Sequence, residues 1–134
     1  MTKEKLRHYQ TIKREREQLR HQLEEIETAL YYPKIPQLHS QPGGGSHEGN
    51  PVEDLALHHI ELQQRYREKL EELAAEQLAI ETAIESLDPR ARMLMRYRYI
   101  EGLKWEAICV KMNYSWVSVH DIHGKALLKL RGDE

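Results

Sequence analysis

The chain of 134 residues has no phenylalanine, one cysteine and no long apolar run, and each absence excludes something. A lone Cys109 cannot close a disulfide within the chain, which fits a reducing compartment. A membrane-spanning helix needs about 20 consecutive apolar residues, and no segment supplies them. The opening stretch, MTKEKLRHYQTIKRER, lacks the apolar core of a secretion signal, so a cytoplasmic location is expected. Val, Ile and Thr never gather into runs, so strands are not expected. Gly43–Gly45 are not followed by the Lys-Ser/Thr of a phosphate-binding loop, and no inward-facing carboxylate pair can be picked out. His58 and His59 are adjacent and so point to different helix faces. His120 and His123 are three apart, with no thiol or carboxylate to complete a ligand set. No enzyme, no cofactor and no metal are expected.

What is present is helix. Tyr9, Ile12, Leu19, Leu23, Ile26 and Leu30 fall at three- and four-residue steps if Arg16 is counted, a heptad stripe with one charged intruder. A helix over 3–31 follows, ended by Pro33 and Pro36. Residues 33–51 hold four of the five prolines and four of the seven glycines, the composition of a flexible loop. A second helix is expected from about Val52 to Leu87, with the stripe Leu55, Leu62, Tyr66, Leu70, Leu73, Ile80, Ile84 and Leu87. Each helix alone would expose its apolar seam. Residues 1–20 carry seven Lys/Arg against three Glu, whereas Glu71, Glu72, Glu76, Glu81 and Glu85 make the end of the second helix acidic. An antiparallel hairpin would bring the two together, although a homodimer through the same seams satisfies the pattern equally.

After Leu87 the pattern changes. Residues 88–134 carry nine Lys/Arg and six Asp/Glu, a net +3 beside a net −5 in residues 1–87. A basic module on an acidic scaffold suits nucleic-acid binding. Asp88-Pro89 is a helix start, and Gly102 marks the end of a first helix over Pro89–Ile100. A second spans about Trp105–Met112. After a turn at Asn113-Tyr114, Ser115 caps a third that reaches about Arg131. Two helices joined by a three-residue turn are the layout of a helix-turn-helix, whose second helix enters the major groove. Leu94, Met95, Ile108, Met112, Val119, Ile122, Leu127 and Leu130 are the expected core. Trp105 is expected to pack beneath its helix. Gly124 costs about 1 kcal/mol relative to Ala within a helix, and close packing against the first helix of the module is the expected reason for it. The fold class is therefore all-α: a coiled-coil-like antiparallel hairpin over 1–87, then a three-helix helix-turn-helix over 88–134.

The segment LDPRARMLMRYRYIEGLKWEAICVKMNYSWVSVHDIHGKALLKLR, Leu87–Arg131, resembles region 4 of σ70-type sigma factors. The shared positions include Arg90, Arg92, the run Arg98-Tyr99-Ile100-Glu101-Gly102, Trp105-Glu106, Ile108, Ser115, Val119 and Lys125-Ala126-Leu127. The layout of the whole chain is similar to small phage sigma-like regulators of the RinA/ArpU type, regarded as late-gene activators. The resemblance implies a bacterial host cytoplasm, double-stranded DNA as partner and RNA polymerase as a further contact. Carried over by position, it implies that Trp116, Val117, His120 and Asp121 face base edges, with Ser115 and Ser118 near phosphates and Lys125 further along the same face. Sigma factors commonly place Arg, Glu and Gln at these base-facing positions, so the usual promoter element is not the expected target. Two other functions suit the sequence: an adaptor that binds RNA polymerase or a phage protein without reading DNA, and a small-terminase-like DNA packaging factor.

Overall fold

The structure, a computed structural model, describes residues 1–32 and 50–132. The proposed loop at 33–51 lies outside these residues, apart from its last two. Among these residues, five α-helices and one π-helical segment follow in order: α1 (Lys3–Tyr31), α2 (Pro51–Ile84), α3 (Pro89–Met95), the π-helical segment (Arg96–Ile100), α4 (Trp105–Met112) and α5 (Trp116–Gly132). No strand occurs among the described residues. None of their helices is long and apolar enough to cross a membrane.

Local chemistry sets the helix ends. The Thr2 hydroxyl accepts from the Lys5 amide at 3.3 Å, and Asn50 Oδ1 accepts from the Val52 amide at 3.0 Å. At α3 the Asp88 carboxylate accepts from the Ala91 amide at 3.0 Å, with Pro89 in the first turn. That bond holds the Asp88 carboxyl below its usual range. α2 stops three residues before the expected Leu87, because the chain turns there with the Leu87 amide on the Ile84 carbonyl at 3.0 Å. The expected single helix over Pro89–Ile100 is also changed. From Arg96 its turns widen, with the Glu101 amide reaching back to the Arg96 carbonyl at 2.9 Å.

The chain groups into two compact units, and the boundary cuts through both long helices. One unit is Glu15–Leu70. In it α1 and α2 run antiparallel, with Glu15 on Lys69 at 2.8 Å and Glu27 on His59 at 3.2 Å. Leu23 and Leu62 are buried between them. Arg16, the intruder in the heptad stripe, is partly covered, and its Nε is buried without a hydrogen-bond partner.

The other unit joins Met1–Arg14 to the chain from Glu71 onward. Leu6, Tyr9 and Ile12 of α1 enter one core with Ile80 and Ile84 of α2 and with Leu87, Leu94, Met95, Ile108, Val119 and Leu130. Met112, Ile122 and Leu127 pack against it half-buried, so the core expected for the C-terminal module is present. Polar contacts reinforce the docking of α1. The wide turns leave carbonyls at the end of the π-helical segment without helical donors. Gln10 Nε2 supplies Tyr99 O at 2.7 Å and Ile100 O at 3.2 Å, and Lys13 Nζ supplies Ile100 O at 2.9 Å. Glu81 pairs with Arg96 at 2.6 Å, which raises the Arg96 pKa. At the far end of α5, Lys129 Nζ donates to the Ser86 carbonyl at 2.6 Å.

Candidate nucleic-acid interface

The α4–turn–α5 pair has the geometry that the sequence implies. Asn113 ends α4 in the left-handed conformation, φ 57° and ψ 44°, and asparagine tolerates this better than most residues. The Ser115 hydroxyl accepts from the Ser118 amide at 3.1 Å and caps α5. The same hydroxyl donates to Ser118 Oγ at 3.0 Å, so the two serines engage each other on an exposed turn. Val119 is fully buried against α3 and α4, which turns the opposite side of α5 outward.

Among the residues expected to face bases, Trp116 is 52% exposed, Val117 is 76% exposed, and Asp121 also faces solvent. Lys125 is exposed and pairs with Asp121 at 3.1 Å, so each neutralises the other on this face. His120 sits differently. Its ring lies 4.5 Å from Trp105 and 4.4 Å from Trp116, centroid to centroid, and its Nε2 is buried without a hydrogen-bond partner. It is a half-buried spacer between two indoles, one rooted in α4 and the other on the outer face of α5. The reason expected for Gly124 also gives way: a methyl group there would meet nothing within 4 Å, so the position is open rather than tightly packed.

Trp105 has a larger part than packing beneath its helix. Its ring also meets His123 edge-on at 4.6 Å and carries the Arg98 guanidinium over its face at 4.5 Å. His123 is buried and shares a 2.6 Å hydrogen bond with the Tyr99 hydroxyl. Burial first, then the nearby cations Lys3, His120, Arg98 and Arg7, lower the His123 pKa to about 4. Burial likewise raises that of Tyr99. The cations of α1 at this corner were absent from the expected site. Lys3, Arg7 and Arg14 share a helix face by their four- and seven-residue spacing, a signal present in the sequence. Nothing in the sequence, however, says that this face borders α4.

Residues 83–132 match the family model of sigma-70, region 4. The match opens in the last turn of α2 and so includes Ile84 and Leu87, which α2 and its turn bury in the helix-turn-helix core beside Leu73 and Ile80. The C-terminal part of the chain is therefore sigma region 4-like, and sigma region 4 is a DNA-binding domain, not a catalytic one. No curated protein and no solved structure matches the chain.

Proposed function

We propose that the sigma region 4-like part binds duplex DNA with α5 in the major groove. In this reading the chain is a phage- or prophage-encoded transcriptional regulator of the late-gene activator type. The observation that carries DNA binding is the family match over 83–132 on an α4–turn–α5 pair whose outer face is open. The phage setting is supported by the layout of two long helices ahead of such a module. Trp116 and Val117 offer apolar surface suited to thymine methyl groups, and Asp121 suits an exposed cytosine amino group. Little of the attraction comes from α5 itself, where Lys125 is offset by Asp121.

A second reading is favoured by the same exposed Trp116 and by Asp121, which would repel phosphate: an adaptor that docks on RNA polymerase without reading DNA. Titration of labelled duplex, followed by selection from a random-site library, separates the two. DNA binding should weaken steeply between about 50 and 200 mM salt as counterions are released. Trp116→Ala and His120→Ala should change the preferred sequence, the latter by freeing Trp116 from its stack. Lys125→Ala should weaken all sequences alike, because a phosphate contact carries no base information. Failure of the wild-type chain to bind any duplex at the lower salt would transfer the case to the adaptor.

A further inference from the structure

Within the unit that holds the helix-turn-helix, the start of α1 and the loop after the π-helical segment border an open pocket of about 450 Å³. Lys3, Arg7 and Arg14 reach it from α1, Arg98 reaches it from the segment, and the Trp105 indole forms one wall. Among the described residues no Asp or Glu lines it. Among the described residues no ion pair engages Lys3, Arg7 or Arg14. Arg98 is held in place by the Leu103 carbonyl at 3.0 Å and by the Trp105 face, neither of which cancels its charge. Four cations that converge without a counter-ion repel one another, and an entering anion relieves that repulsion. The positive field reaches into the core, where Lys3, Arg98 and Arg7 add to the burial that keeps His123 neutral.

We propose that this pocket is a phosphate site that holds a DNA backbone phosphate flanking the bases met by α5. The inference rests on the DNA-binding reading and extends it to residues outside the matched region. Placement supports it. From the Trp105 wall, ring-to-ring steps of 4.5 Å and 4.4 Å lead through His120 to Trp116. The pocket wall and the start of α5 are therefore less than one major-groove width apart, about 12 Å. Chemistry supports it too. The site is open, and Arg7 and Arg14 are exposed, so a backbone can lie across it instead of being enclosed. It also supplies the cationic surface that the Asp121–Lys125 pair withholds from α5.

The test compares the full chain with the double variant Arg7→Ala, Arg14→Ala, and with Arg67→Ala as a cation outside the pocket. Arg7→Gln serves if the double variant loses helicity. The slope of log K against log salt should fall by about 0.9 for each phosphate that the variant no longer neutralises, with the preferred sequence unchanged. Arg67→Ala should retain the wild-type slope. Trimming the duplex flank should lower the wild-type slope by the same amount and abolish the difference between wild type and variant. Equal slopes for wild type and double variant would overturn the phosphate site while leaving the DNA reading intact. An equal loss in Arg67→Ala would also overturn it, by showing a general charge effect. Pyrophosphate binding that depends on Arg7 and Arg14, with DNA binding unaffected, would reassign the pocket to a free phosphate compound. Absence of any duplex binding by the wild-type chain would remove both proposals together.

Discussion

At the scale of single residues, the pair Tyr99–His123 is where burial and charge meet. His123 is 7% exposed and hydrogen-bonded, and Lys3 and Arg7 of α1, Arg98 of the π-helical segment and His120 of α5 disfavour its protonation. In the unfolded chain it titrates near 6.5, and in the folded protein near 4. Between these values the unfolded chain binds a proton that the folded protein does not. The contribution is therefore fully present above pH 6.5 and is lost as pH falls through the window to 4, by an amount on the order of 3 kcal/mol. Thermal melts from pH 7.5 to 4.5 should show this decline. His123→Gln, which keeps a hydrogen-bond acceptor but does not titrate there, should flatten it. An equally steep decline in the variant would assign the effect to other groups.

At the scale of elements, two glycines in the same unit should respond in opposite ways. Gly102 follows the π-helical segment with φ +75°, and a Cβ there would lie 2.7 Å from Gln10 Oε1. Gly102→Ala adds the cost of a left-handed conformation and pushes Gln10 away from the Tyr99 and Ile100 carbonyls that it serves. A loss of about 1–2 kcal/mol is expected. Gly124 lies inside α5 with open space around it, so Gly124→Ala should stabilise by up to about 1 kcal/mol. Denaturant titrations of both variants check the pair, and destabilisation by Gly124→Ala would show that α5 needs the glycine for something that local packing does not reveal. The helix ends on either side were legible in the sequence, because caps such as Asp88 and Ser115 act within three residues. The widening at Arg96 was not legible, since it depends on what packs over the freed carbonyls.

At the scale of the whole molecule, the start of α1 belongs with the C-terminal core. Ile12 is 1% exposed and shares that core with Ile84, Leu94 and Ile108. Ile12→Ala should cost about 2–5 kcal/mol, a large share of the 5–15 kcal/mol typical of a domain. Amide exchange should speed up in α4 and α5 although the substitution lies some hundred residues away in sequence. Faster exchange confined to α1 would mean that the helix-turn-helix stands without it. The benefit of the arrangement is physical: a module of roughly 50 residues buries little surface alone, and two turns of α1 enlarge its core.

The sequence shows the helices, most of their ends and the region 4-like layout from Leu87 onward, and leaves the antiparallel pairing as one of two uses for the apolar seams. These follow from apolar spacing, capping side chains and turn residues, whose effects are local or periodic. It also placed Trp116, Val117 and Asp121 on the open side of α5. Packing across the fold wedges His120 between two indoles and leaves Gly124 without a tight contact. It alone brought Lys3, Arg7 and Arg14 beside Arg98 and Trp105. Those facts depend on which faces meet across some ninety residues of chain, and one face pattern is compatible with many such meetings until the packed core selects one.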